Sequence, residues 1–204
     1  MFLRNVVGSS GRLRSLVSSG ASAAEIAEHL DQLRGVERVL EALSVTGRGV
    51  SQLYEAVAGA PPLSIEELVP ADARASATFI FEGRNSMPTF NRFQKRLARV
   101  EQGGRVIGYN HQLWSLVTGP GYFVLKPPSG SADVPSEPYF DYTEPPGYEP
   151  TGWPRYRPNE WGLSLIVFAR MKDYLRRVAK GVVVGKAFRN GAPRGQYFVL
   201  ARAD

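Results

Sequence analysis

Residues 104 to 125, GRVIGYNHQLWSLVTGPGYFVL, gather Tyr109, Asn110, His111, Gln112, Trp114 and Tyr122 around one of the chain's two histidines. Rings with polar tips are what small-ligand sites are built from: the rings supply apolar contact, and a few hydroxyl, amide or imidazole groups fix orientation. EGRNSMPTF, residues 82 to 90, is a second such mixture, with Arg84, Asn85 and Ser86. There a guanidinium can meet an anionic head group, with Phe79, Phe81, Tyr122 and Phe123 as apolar walls. In YFDYT, residues 139 to 143, Asp141 beside Tyr142 has three readings. It is a buried carboxylate serving as a general base, a turn residue, or the partner of an arginine.

Several chemistries are excluded or weakened by what is missing. The chain has no cysteine, which removes thiol catalysis, thiolate metal sites and disulfides together. His111 has no second histidine near it and no carboxylate before Asp133, whereas zinc and non-haem iron sites assemble several such ligands. A haem needs only one axial histidine, so His111 leaves that cofactor open. No G-x-S-x-G elbow is present, and GSSG at 8 to 11 lacks the Lys-Ser/Thr ending of a phosphate loop. Neither a catalytic residue nor a metal ligand is assigned. An enzyme using Asp141, or a haem at His111, is kept as an alternative.

The formal charge of +6 alternates along the chain, with an acidic stretch at 21 to 70 and basic ones at 71 to 126 and 165 to 204. Packing of these segments on one another would neutralise most of it; the other outcome is a basic face for an acidic partner. TFNRFQKRLARV interleaves Phe90 and Phe93 with Arg92, Lys95, Arg96 and Arg99, as a single-strand nucleic-acid surface does. On a strand, Lys95 and Arg99 alternate with core-like positions, which a solvated outer face also explains. SAAEIAEHL resembles the first helix of a helix-turn-helix module. It leads, however, into Asp31-Gln32 and the acidic VERVLEAL, where phosphate contact would need basic residues. Nucleic acid is therefore the second alternative.

Positioning these residues requires a scaffold. Residues 1 to 20 read as a flexible start. Residues 21 to 70 read as helical: Ser22 with Glu25, and Ser64 with Glu67, form capping-box patterns. Between them Ile26, Leu30 and Leu33, then Val36, Val39, Leu40 and Leu43, then Val50, Leu53, Tyr54 and Val57 recur at helical spacing. From about residue 75 short alternating strands follow at close intervals: ASATFIFEG, FQKRLARV, RVIGY, YFVLK, GLSLIVFAR, KGVVVGKAF and QYFVLAR. Asn190-Gly191 is a strong turn dipeptide, because both residues tolerate positive φ. Residues 127 to 160 carry nine prolines and six aromatic residues, and they read as an ordered flap that lays rings across the sheet.

The closing stretch MKDYLRRVAKGVVVGKAFRNGAPRGQYFVLARAD resembles the last hairpin of small lipocalin-like (calycin) barrels, including uncharacterised bacterial ones of the nitrobindin type. The shared features are the basic DYLRRV, the VVVGKA strand with its central glycine, and the aromatic-rich last strand ending in Arg202. That family's glycine–tryptophan signature is replaced here by FEGRNSMPTF, so the resemblance implies a barrel and carries no activity with it.

The expected architecture is α+β, with the helical segment packed on an antiparallel, lipocalin-like β-barrel or strongly curved sheet formed by residues 71 to 204. A closed sheet of about eight strands has room for side chains or one small ligand. The expected function is binding of a small apolar or lipid-like ligand with a possible anionic end. Its expected site is Arg84, Asn85, Tyr109, Asn110, His111, Trp114, Tyr122, Asp141 and Tyr142. No run approaches the ~18 apolar residues of a membrane span, and the arginine-broken N-terminus does not read as a signal peptide. A cytoplasmic protein is expected.

Overall fold

The computed structural model describes residues 11–88, 91–100, 104–112, 119–130, 135–159 and 168–203. Eight strands close into an antiparallel barrel in simple chain order. They are β1 (Phe79–Asn85), β2 (Arg92–Arg99), β3 (Val106–His111), β4 (Tyr122–Lys126), β5 (Tyr139–Asp141), β6 (Met171–Ala179), β7 (Val182–Arg189) and β8 (Ala192–Ala201). Closure is made by β1 and β8, where Gly83 stands opposite Leu200 and Arg84 opposite Val199. The β7–β8 turn is Asn190-Gly191, with φ of 53° and 79°, the two positive values that a tight hairpin connection needs. GLSLIVFAR, expected as a strand, lies mostly outside the described residues.

Strand alternation sorts the side chains into an interior and an exterior. One buried cluster draws on all eight strands: Phe81; Phe93 and Leu97; Val106; Phe123 and Leu125; Phe140; Leu175; Val183; Phe198 and Leu200. This is the barrel interior. Aromatic rings lie across glycines of neighbouring strands there. A Cβ on Gly108 would come within 2.5 Å of Phe123, and one on Gly185 within 2.1 Å of Phe198.

Four helices cover the outer face of β6 to β8: α1 (Arg12–Ser19), α2 (Ala23–Gln32), α3 (Gly35–Ala42) and α4 (Arg48–Ala56). Their apolar stripes meet Val178, Val182, Val184, Val199 and Ala201. Residues 12 to 19, expected to be flexible, form a helix because Glu41 caps it. The carboxylate is 1% exposed and accepts the backbone N–H groups of Leu13 (2.7 Å) and Gly11 (3.2 Å), with His29 Nε2 3.2 Å away. The expected box at Ser22 and Glu25 opens α2. Arg38 clamps the layer to the barrel by donating to the carbonyls of Leu30, Leu33 and Lys180.

A short fifth helix, α5 (Ile65–Leu68), closes one end of the barrel, with Leu63, Leu68 and Val69 inserted into the interior cluster. Three arginines fasten it. Arg99 donates to the carbonyls of Val69 and Pro70, Arg202 to that of Leu68, and Arg177 pairs with Glu67 at 3.0 Å. At the opposite end Phe168 enters the same cluster. Among the described residues no helix is long and apolar enough to cross a membrane.

Candidate functional site

The interior is not wholly apolar. Four polar side chains from separate segments converge near the Phe168 end: Lys95 on β2, Asn110 on β3, Tyr142 just after β5, and Asp173 on β6. Each is at most 5% exposed. Lys95 Nζ donates to Asn110 Oδ1 at 3.0 Å, to Asp173 Oδ2 at 3.3 Å and to the Tyr142 hydroxyl. The Tyr142 hydroxyl stands 3.2 Å from Asp173 Oδ2 as donor, and it accepts from Asn110 Nδ2 at 3.2 Å. The other Asn110 amide proton goes to the Gly121 carbonyl at 3.0 Å.

Five rings surround the amine. Its nitrogen is 4.6 Å from the ring centre of Phe140, 4.7 Å from Phe123, 5.0 Å from Tyr142, 5.2 Å from Phe198 and 5.8 Å from Phe93. Ring faces carry negative quadrupole density and offset part of the cost of burying a cation. Burial nonetheless lowers the Lys95 pKa below its ordinary value, against the opposing pull of Asp173. The same burial, reinforced by the Asp173 charge, holds the Tyr142 phenol well above its ordinary value. The centre therefore holds a desolvated amine, a phenol that keeps its proton, and a carboxylate that accepts hydrogen bonds from both.

Toward the barrel end opposite α5 the cluster meets Phe168. Phe168 stacks on Tyr142 with ring centres 5.5 Å apart and planes 9° from parallel. Beside it Asn159 joins the ends of β4 and β5, donating to the carbonyls of Tyr122 (2.9 Å) and Tyr142 (2.8 Å). The buried Oδ1 of Asn159 has no hydrogen-bond partner among the described residues.

The residues expected as a single site separate into groups. Asn110 and Tyr142 lie in the interior cluster. Tyr109, His111 and Tyr122 face outward from β3 and β4, where residues 153–156 cover Tyr109 and Tyr122. The Trp153 ring is 4.8 Å from that of Tyr109, Tyr156 is 5.8 Å from Tyr122, and the Tyr122 hydroxyl donates to the Pro154 carbonyl at 2.6 Å. His111 packs edge-on against Tyr109 at 6.3 Å, and burial lowers its pKa, helped by the Arg96 charge. Next to this layer a cleft of about 620 Å³ runs along Arg155, Tyr156, Arg157 and Pro158.

Arg84 points toward the helices and donates to the Leu43 carbonyl at 2.9 Å, while Asn85 Oδ1 accepts the Met87 N–H at 3.0 Å. Asp141 faces outward on β5. It accepts the Thr143 N–H and hydroxyl and lies 4.0 Å from Lys172. Trp114 lies outside the described residues. The basic strand face proposed for nucleic acid does not form as one surface. Lys95 and Arg99 point into the barrel, whereas Arg92 and Arg96 belong to the outer parity, so the four cations are divided between two faces.

Sequence reasoning singled out Lys95 only as a nucleic-acid contact and did not single out Asp173. The signal for their place in the interior was parity. Lys95 lies two residues from both Phe93 and Leu97, and Asp173 two residues before Leu175, so each shares a face with core residues.

The scaffold defines a class: an eight-stranded, closed antiparallel barrel with a helical layer on one side and a polar centre inside. No family model matches the chain, and neither do any of the curated proteins or solved structures compared with it.

Proposed function

We propose that the chain is a lipocalin-like small-ligand-binding barrel. Its ligand is a small, mainly apolar molecule with an uncharged carbonyl or hydroxyl head, seated on Lys95, Asn110 and Tyr142. The observation that carries this reading is the convergence of four polar groups within a phenylalanine-lined interior, beside Phe168 toward the end opposite α5. A structural core has no need of a buried ion pair, since apolar replacements of such pairs are often as stable or more so.

The size and charge of the ligand follow from the surroundings. Rings line the interior and Phe168 stacks on Tyr142, so a guest that takes the place of Phe168 is of comparable volume. Lys95 and Asp173 offset each other's charge, so a neutral head suits the cluster better than an anionic one. An anionic end finds unpaired cations elsewhere. Arg155 and Arg157, exposed on either side of Tyr156 in the outer cleft, have no acidic partner among the described residues. This favours a second reading in which an anionic aromatic ligand binds outside the barrel.

Native mass spectrometry of the purified protein, set against its denatured mass, tests both readings. After depletion, screening with benzyl alcohol, short ketones and short carboxylates follows. The interior reading expects neutral compounds to bind, affinity to fall in Lys95→Met, and Arg155→Ala/Arg157→Ala to have no effect. Carboxylate binding lost only in the arginine variant supports the outer cleft. No retained molecule and no binder in the library would refute ligand binding.

A further inference from the structure

Whatever binds at the interior cluster lies against a primary amine with a phenol and a carboxylate at hydrogen-bonding distance. We infer that Lys95 forms an imine with a small apolar or aromatic aldehyde, with Tyr142 and Asp173 moving the protons. The inference rests on the interior-binding reading and names its substrate class.

The chemistry requires three groups around one carbonyl carbon, and the cluster supplies them. Lys95 Nζ attacks the carbonyl carbon, forming a C–N bond while the carbonyl π pair moves to oxygen. The Tyr142 hydroxyl, which burial keeps protonated, donates to that oxygen. Asp173 Oδ2, 3.3 Å from Nζ, takes the proton that nitrogen sheds. Asp173 is also 3.2 Å from the Tyr142 hydroxyl, so the proton has a path back to the phenolate. Loss of water from the carbinolamine then gives the imine. Aldehyde plus amine yields imine plus water, with no oxidant or reductant.

Two further features suit the reaction. An amine attacks only when neutral, and desolvation favours the neutral form of Lys95. The ring cage excludes bulk water, which would otherwise hydrolyse the product. Lys126 and Lys172 lack this setting: Lys126 is paired with Glu144, which raises its pKa, and Lys172 sits on the outer face beside Asp141.

The test uses the full chain. Protein at pH 7 is incubated with benzaldehyde and cyanoborohydride, which fixes an imine as an N-benzyl amine, and the modified lysines are located by peptide mass spectrometry. With a positioned acid and base typically contributing about a hundredfold or more, Lys95 is expected to be modified at least about tenfold faster than Lys126, Lys172, Lys180 and Lys186. Benzyl alcohol in excess slows modification at Lys95 alone. Tyr142→Phe and Asp173→Asn lower the rate at Lys95 and so narrow its lead, while the rates at the other lysines stay unchanged, a change that loss of packing alone would not direct to one lysine.

Modification of the surface lysines with Lys95 untouched overturns the proposal. If benzyl alcohol binds at the cluster while no Lys95 adduct forms, imine formation fails and interior binding stands. If neither occurs, both fail.

Discussion

Replacing Lys95 with methionine removes the cation of the interior cluster while keeping most of the side-chain volume. Asp173 is 5% exposed and 3.3 Å from the amine, so its carboxylate is left buried with the Tyr142 hydroxyl at 3.2 Å as its remaining partner in the cluster. Breaking a buried ion pair from one side typically costs about 3–5 kcal/mol. The surviving hydrogen bond places Lys95→Met near the lower figure, about 3 kcal/mol. With a urea m-value of about 2 kcal/mol/M, the midpoint falls by about 1.5 M. Adding Asp173→Asn neutralises the orphaned carboxylate, and the double variant recovers about 2 kcal/mol of the loss, a coupling within the range expected for contacting residues. Urea denaturation followed by far-UV circular dichroism measures all three. A Lys95→Met midpoint equal to that of the parent, or a double variant no better than the sum of the singles, would refute a desolvated charge pair in the barrel.

Other perturbations probe the rest of the account. Because burial lowers the Lys95 pKa, the cost of keeping it charged is fully present below its folded value; stability climbs with pH through that value toward the free-lysine value near 10.5. Thermal unfolding followed as the pH is raised toward 10.5 should show this rise, and Lys95→Met should abolish it. Gly185→Ala places a methyl group within 2.1 Å of the Phe198 ring, and the overpacking should destabilise the barrel by about 1–3 kcal/mol in denaturant titration. Glu41→Ala leaves the Gly11 and Leu13 N–H groups without their acceptor. It should cost about 2 kcal/mol, with amide exchange in α1 accelerating well before exchange in β7 and β8. Alkaline ultraviolet titration of the folded protein should show tyrosine ionisation extending above the ordinary value near 10, since burial raises Tyr54, Tyr122, Tyr142 and Tyr174.

Much of the fold was legible because it follows from periodicity. The capping boxes at Ser22 and Ser64, the 3.6-residue spacing of Ile26, Leu30 and Leu33, and the Asn190-Gly191 turn each have a local cause, and the structure contains all of them. The alternating runs after residue 75 implied an antiparallel sheet, and the basic closing hairpin pointed to a barrel. The start of α1 was not legible, because its cap comes from Glu41, 28 residues beyond Leu13.

The candidate site was half legible for a similar reason. Asn110 and Tyr142 stood out as polar groups among aromatic residues, yet Tyr109 and His111, their sequence neighbours, point to the other face of the sheet. Lys95 and Asp173 were not placed in the site because a charge on a strand is usually solvated. The parity they share with Phe93, Leu97 and Leu175 carried the contrary information. Which face of β3 is interior depends on how the strands close, a long-range property that no short window contains.

The most direct test of the central claim follows the amine itself. In protein labelled with 15N-lysine, the account predicts that added benzyl alcohol shifts the Lys95 Nζ resonance saturably and leaves those of Lys126, Lys172, Lys180 and Lys186 in place. A Lys95 signal unmoved by any neutral ligand in the library would contradict it.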